Sequence, residues 1–355
     1  MTFWITHVAE NALGNETRSG IIANLAAAEA VGKIGFKSLS YPKLSRLDVQ
    51  KMNYIERQNW IEAIFAELRQ GDLVFVQYPF WIGNVNFEMQ MIEMLKKIPK
   101  IKIAALVWDI LYWVQYDRER NYTKDPSLSL LNSFDLVICA NEKMARRLRV
   151  EGGVKSPLLA WQLSDFLFDG ALQKKTFKKQ LYYVSTLINP TMLEDYQAKT
   201  PIYMIGPDDQ VTSHENNIHL LGKMRNADIP QMFDGGFGMI EYSRGGHYAG
   251  MQRYGEYNNP MKLSLYLASG LPPLVTSRSA HADWIRERNV GLVLDNLNEI
   301  DEVLEKMTAA DYQQMLENLK PWQKAVSTGF FVKRACLEAV QFLQLGFSEA
   351  LVKDK

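Results

Sequence analysis

The sequence predicts an α/β protein built from two doubly wound domains, and three observations carry that expectation. Short apolar runs alternate with amphipathic helical stretches almost throughout. Such repeated β-α-β order implies a parallel sheet covered on both faces. The alternation lapses once, near Gly152-Gly153-Val154-Lys155-Ser156-Pro157, and then restarts. A chain of 355 residues is also too long for one typical domain and suits two.

In the first half, strands are expected at Phe3–Thr6, Phe36–Ser40, Leu73–Gln77, Lys102–Val107 and Leu136–Cys139, with helices near Ser19–Val31, Tyr54–Arg69, Phe87–Lys97 and Glu142–Val150. In the second half, strands are expected at Leu181–Thr186, Ile202–Ile205, Ile218–Leu220, Phe237–Ile240, Leu274–Thr276 and Gly291–Leu294. Helices fall there near Met261–Ala268, Ala280–Glu287, Asn298–Met307 and Ala310–Lys320, and a last one near Phe331–Leu345. The domains expected are 1–155 and 156–330, followed by a C-terminal helix within 331–355 that can return to the first domain. The link is expected at 152–178, with the basic run Lys174-Lys175-Thr176-Phe177-Lys178-Lys179 solvated beside it. In doubly wound sheets ligands sit at the carboxyl ends of the strands, at the topological switch point, so two such domains facing each other across a crevice offer a natural site.

Composition excludes several classes. Lys+Arg and Asp+Glu both total 40, and a balanced chain without like-charge blocks argues against nucleic acid as a partner. Ile101 to Val114, the most apolar long stretch, is interrupted by Lys102 and Asp109 and is too short to span a bilayer, so no stable membrane insertion is expected. The two cysteines, Cys139 and Cys336, have no metal spacing and fit a reducing, cytoplasmic compartment. No secretory leader is read at the N-terminus. The P-loop, the dinucleotide fingerprint, the nucleophile elbow and the His-Glu-x-x-His zinc motif are all missing. So is any Asp-x-Asp, which would hold a divalent metal against a diphosphate. No metal or cofactor is therefore expected, and diphosphate charge would have to be met by backbone N–H groups, a helix N-terminus and cations.

The most informative stretch runs from Phe237-Gly238-Met239-Ile240-Glu241-Tyr242 to Tyr257-Asn258-Asn259-Pro260-Met261-Lys262-Leu263-Ser264-Leu265-Tyr266-Leu267-Ala268-Ser269-Gly270-Leu271-Pro272. A strand ends at Glu241, and a helix opens at Asn258/Asn259–Pro260 with Asn as cap and Pro in the first turn. Lys262 then lies in the first turn, where the helix dipole disfavours a cation. An anionic ligand would explain it, and so would a capped helix with a solvent-facing lysine; the residues alone leave both open.

The pattern Asn-Asn-Pro-x-Lys-Leu-Ser-Leu-Tyr-Leu-Ala-x-Gly-Leu-Pro resembles the signature of a bacterial glucosyltransferase family that extends O-linked GlcNAc on serine-rich-repeat adhesins. Galactofuranosyltransferase-like enzymes of polysaccharide pathways are related to it. The resemblance extends to Thr17–Gly20, Gly71-Asp72-Leu73-Val74, Gln77-Tyr78-Pro79, Asp109-Ile110, Leu131-Asn132, Asp135 and Asn141-Glu142-Lys143-Met144, and so to most of the chain. It implies a GT-B fold, two Rossmann-like domains across a crevice, with a UDP-sugar as co-substrate and a glycan or glycopeptide as acceptor. A homo-oligomer acting in the cytoplasm, or at the inner face of the membrane, is implied as well.

Carried over residue by residue, the resemblance assigns Lys262, Asn258 and Asn259 to the donor diphosphate, with Ser185, Thr186, Glu241 and Tyr242 as further donor contacts. Asn15, Thr17 and Tyr78 would face the acceptor or the donor sugar. Asn15 and Thr17 also read as a helix N-cap, and Gln77-Tyr78-Pro79 as simple strand termination. Asp109 follows the apolar Leu106-Val107-Trp108, where a carboxylate needs a partner or a chemical role. It is the candidate general base of an inverting transfer, with Glu10 in reserve.

The chain departs from the family at three places. Gly238-Met239-Ile240-Glu241-Tyr242-Ser243 stands for Gly-Leu-Val-Trp-Asp-Gly, Val184-Ser185-Thr186-Leu187-Ile188-Asn189 lacks a lysine expected near the phosphates, and Met261 replaces a His. These departures keep a second reading open, a non-catalytic GT-B protein that binds glycan or a partner transferase. A third, a hexosyl- or galactofuranosyltransferase of polysaccharide synthesis, stands beside it.

Overall fold

Apolar runs of the first half become strands of a covered sheet, and two of them, Leu73–Tyr78 and Leu136–Cys139, are buried at every position. The computed structural model describes residues 1–9, 19–42, 46–80, 85–115, 126–185, 195–206, 217–242 and 251–353. By its contacts the chain divides into two units. The first comprises Met1–Tyr112, Arg118–Gln162 and Gly329–Lys355, and the second Trp113–Asp117 and Leu163–Thr328.

The elements in order are β1 (Phe3–Ala9), α1 (Ser19–Gly32), β2 (Lys37–Pro42), α2 (Arg46–Lys51), α3 (Tyr54–Ile64), β3 (Leu73–Tyr78), α4 (Val85–Lys96), β4 (Lys102–Val107), α5 (Leu111–Gln115), α6 (Pro126–Leu130), β5 (Leu136–Cys139), α7 (Glu142–Val150) and β6 (Leu158–Ala160). Then come β7 (Thr176–Val184), β8 (Ile202–Ile205), β9 (Ile218–Leu220), α8 (Ile229–Met232), β10 (Gly235–Ile240), α9 (Met251–Tyr254), α10 (Met261–Ala268), β11 (Pro273–Thr276), α11 (Ala282–Arg288), β12 (Leu292–Leu294), α12 (Ile300–Lys306), α13 (Ala309–Ser327) and α14 (Phe330–Leu345). Among the described residues no helix is long and apolar enough to cross a membrane.

Both sheets have six parallel strands, in the orders β2-β1-β3-β4-β5-β6 and β12-β11-β10-β7-β8-β9. Strand order reverses between β1 and β3 in the first and between β10 and β7 in the second, which places a switch point in each. In the first unit α14 packs against α1, β5 and β6. Val352 N–H then donates to Leu158 O at 2.8 Å. The first sheet's edge is thus completed by residues that follow the whole second unit.

The stretch expected as a linker is partly structure. β6 lies inside it, and β7 starts at Thr176 rather than Leu181. The basic run is not simply solvated either. Lys178 pairs with Asp234, Lys179 reaches Glu305 at 3.8 Å, and Lys175 is buried, donating to Gln173 O at 2.9 Å. Burial, opposed by the Asp234 charge, pulls the Lys175 ammonium down to about 8. The polar start of β7 does not read as a strand because its Lys178 and Gln180 are there to bond Asp234.

Two buried features of the sheets have measurable consequences. Gly238, on β10, lies under the ring of Tyr266 on α10: a Cβ there would meet that ring's Cγ at 2.3 Å. The ring cannot move aside easily, because it is fully buried and its hydroxyl accepts from Val184 N–H at 3.1 Å while lying 3.2 Å from both Tyr182 O and Met239 O. Overpacking of this kind costs about 1–3 kcal/mol. Chemical denaturation should therefore show Gly238→Ala losing that much; an unchanged midpoint would mean that α10 shifts freely.

In the first unit the Glu88 carboxylate, on the first turn of α4, accepts from Phe80 N–H at 3.3 Å beside Tyr41, whose hydroxyl donates to Phe80 O at 3.0 Å. Burial, only partly opposed by the Phe80 bond, pushes its pKa from 4.5 up to about 7. The folded state therefore binds the proton more tightly than the unfolded chain does. The stability that this gives is complete below about 4.5 and is lost as pH rises through about 7. Denaturation of wild type and Glu88→Gln across this window should show the gap between them changing by on the order of 2–3 kcal/mol. A pH-independent gap would exclude a buried carboxylate here.

Candidate active site

The second unit gathers several of the expected donor residues at the β7/β10 switch point. Glu241 and Tyr242 directly follow β10, and both Glu241 and Asn258 are buried. Tyr242 donates its hydroxyl proton to Asn258 Oδ1 at 2.8 Å. Lys262, in the first turn of α10, places Nζ 4.3 Å from the centroid of the Tyr183 ring and 3.1 Å from its hydroxyl. Tyr183 is buried on β7, and its hydroxyl lies 3.5 Å from Glu241 O. An aromatic face and a phenol oxygen can hold an ammonium without neutralising it. The lysine thus lies at a strand end close to Glu241, Tyr242 and Asn258.

The helix start differs from the expectation. Pro260 itself is the N-cap residue of α10, so neither asparagine holds that position. Asn258 is engaged by Tyr242, and Asn259 Oδ1 lies 2.9 Å from His281 Nε2. The segment before α10 is tied to the one after β11 twice more: Ala280 N–H donates to Gly255 O at 3.0 Å, and Arg278 donates to Glu256 Oε1 at 2.9 Å. The asparagines thus work as cross-links that set the approach of the helix.

Beside this cluster opens a cavity of about 330 Å³, lined among others by Glu241, Tyr242, Arg278, Ser279, Asp295 and Asn298. Arg278 is its only cation among the described residues. The family pattern puts a second cation in the segment after β7, and Arg278 carries no such pattern in the sequence. Its signal was its position, two residues beyond the apolar strand β11. His281 and Tyr183 were missed too: a buried histidine and a strand tyrosine carry no motif, and only the fold brings them to Asn259 and Lys262.

Ser185 directly follows β7, is buried, and donates its backbone N–H to Ile205 O at 2.9 Å. Thr186 lies outside the described residues, as do Glu10, Asn15 and Thr17. In the first unit Tyr78 and Asp109 belong to neighbouring strand ends, since Trp108 N–H donates to Tyr78 O at 2.8 Å. Tyr78 is itself buried, and its hydroxyl donates to Ser127 O at 3.1 Å. Asp109 is half-buried just past β4. Among the described residues no group of three or more His, Cys, Asp or Glu side chains could hold a metal ion.

Comparison with known proteins accords with this architecture. Sucrose-phosphate synthase from Thermosynechococcus elongatus superposes with a TM-score of 0.60 over 97% of this chain and 100% of its own, at 11% identity. Anabaena HepE, solved in complex with UDP-glucose, gives 0.57 over 95% of this chain and 99% of its own, at 9% identity. At such identities the likeness speaks for the fold, which is GT-B. In sequence, Glucosyltransferase 3 of Streptococcus gordonii is 26% identical over 326 residues, 91% of this chain and 94% of that protein. The β-1,6-galactofuranosyltransferase WbbI of Escherichia coli is 32% identical over 91 residues, 26% of this chain and 28% of its own. Models of the Glucosyltransferase 3-like N-terminal and C-terminal domains match residues 2–163 and 181–339. With both domains matched, in order and over most of its length, the chain belongs to the Glucosyltransferase 3-like family and is a glycosyltransferase.

Proposed function

We propose that the protein moves a hexose from a UDP-sugar, UDP-glucose in the first instance, to a sugar acceptor on a glycoprotein or cell-surface glycan, without a metal ion. The observation that carries this reading is Lys262, in the first turn of α10, whose ammonium lies over the Tyr183 ring and 3.1 Å from its hydroxyl. A nucleoside diphosphate leaving group is an anion that a cation in the first turn of a helix would hold. The relatives support the donor class: Glucosyltransferase 3 by its name, HepE by its bound UDP-glucose. The reaction would run in the cytoplasm or at the inner face of the membrane, and in a homo-oligomer.

In this reading the acceptor hydroxyl attacks the anomeric carbon, its proton passes to Asp109, and UDP departs with its negative charge met by Lys262 and the α10 backbone N–H groups. Glu10 is the alternative base. Asn258 and Tyr242 hold the donor side in register, and Asn259 is steadied from behind by His281.

Lys262→Ala should weaken UDP binding about 10- to 150-fold, the worth of a charge-assisted contact of about 1.5–3 kcal/mol. Calorimetry run in EDTA tests both halves of the claim: an unchanged UDP affinity removes Lys262 from the site, and turnover that EDTA abolishes and Mn²⁺ restores removes the metal-free mechanism.

Asp109→Asn should leave UDP affinity near wild type while lowering the rate of UDP release from UDP-glucose by about 10²- to 10⁴-fold. Melting temperature and kcat on one preparation separate this from a local structural role. A less stable variant with normal kcat would make Asp109 structural and pass the assignment to Glu10. Absence of turnover with every nucleotide sugar, with glycan binding intact, would favour the non-catalytic reading.

A further inference from the structure

At the switch point of the first sheet a buried glutamine is fully used, and what it holds is the residue beside Asp109. Gln77 is wholly buried near the end of β3, after the apolar run Leu73-Val74-Phe75-Val76. A polar side chain there is costly unless every polar atom is satisfied. Both amide protons are: Nε2 donates to Thr6 O at 2.7 Å and to Asn24 O at 2.8 Å. Its Oε1 accepts from Trp108 Nε1 at 2.7 Å. The Gln77 backbone N–H adds a bond to Thr6 Oγ1 at 3.0 Å. Thr6 lies on β1 and Asn24 on α1, so one side chain ties β1, α1 and β3 to the corner after β4.

Trp108 is held on two further sides. Its backbone N–H donates to Tyr78 O at 2.8 Å, and its ring meets Trp161 edge-on at 4.5 Å. An indole held at its nitrogen, its backbone and its ring is restrained, and so is the peptide that leads into Asp109. A leucine at Gln77 would pack the strand as well, and would leave Trp108 Nε1 without this anchor.

We propose that Gln77 is a positioning residue for the transfer reaction, acting through Trp108 to fix the direction of the Asp109 carboxylate. This rests on the reading of Asp109 as the base. Positioning of a reacting group is sensitive: a displacement of about 1 Å costs on the order of 10²-fold in rate.

The test compares Trp108→Phe in wild type and in Asp109→Asn, with UDP release from UDP-glucose as the rate, UDP affinity by calorimetry and melting temperature on the same preparations. Trp108→Phe should lower kcat about 10- to 100-fold, keep UDP affinity within about twofold, and cause no further loss once Asp109 is Asn, because a misdirected base that is already absent cannot be lost again. Gln77→Met, which keeps length and removes both halves of the amide, should give the same pattern. Equal losses in both backgrounds would mean a general structural role and would overturn the proposal. So would an unchanged kcat for both variants alongside a slow Asp109→Asn, with the base assignment left standing. Wild-type turnover in Asp109→Asn itself would remove the base assignment and this proposal together.

Discussion

The donor side of the protein hangs on a tyrosine ring lying on a glycine. Only a residue without a side chain at Gly238 lets the Tyr266 ring of α10 reach the sheet, and the hydroxyl at its far end then meets the backbones of both strands that flank the switch point. One residue thereby sets the height and direction of α10 relative to β7 and β10. The other contacts follow from it: Lys262 falls over Tyr183, Asn258 beneath Tyr242, and Asn259 against His281. None of these bonds is strong by itself, since an ordinary hydrogen bond is worth about 1 kcal/mol net. Their precision comes from the shared support, which holds a single lysine side chain over one ring.

The two switch points solve similar problems with different chemistry. In the second sheet a tyrosine from a covering helix reaches into the strand ends. In the first, a glutamine within the sheet reaches outward to a helix carbonyl, a neighbouring strand and a tryptophan. Parallel sheets need such devices, because their strand ends carry backbone groups that the next element leaves unpaired. Where those groups surround a reaction, the side chains that satisfy them also decide which way the functional residues face.

Much of the architecture was legible from the sequence. Mostly buried strands read as continuous apolar runs, and Leu136–Cys139 and Ile202–Ile205 coincide with the strands observed. The family signature around Lys262 was legible as well, because glycine, proline and asparagine at fixed offsets leave few alternatives. What stayed hidden was long-range. Thr176–Gln180 reads as a polar linker until Asp234 is brought beside it from more than fifty residues away. Asn258 and Asn259 look like caps until Tyr242 and His281 compete for their side chains. Arg278, Tyr183 and Gln77 carry no local pattern at all, since each becomes meaningful only through a partner that folding supplies.

The place of α14 has a consequence for how the chain is made. It and the residues after it belong to the first unit, where they pack on α1 and complete the edge of β6. During synthesis the first unit must therefore wait, with part of its apolar surface uncovered, until the entire second unit has left the ribosome. The second unit can finish its core in that interval, since its strands and α10 to α13 are contiguous in the chain. Vectorial synthesis thus matures the later half first, and the earlier half closes around a helix translated after both.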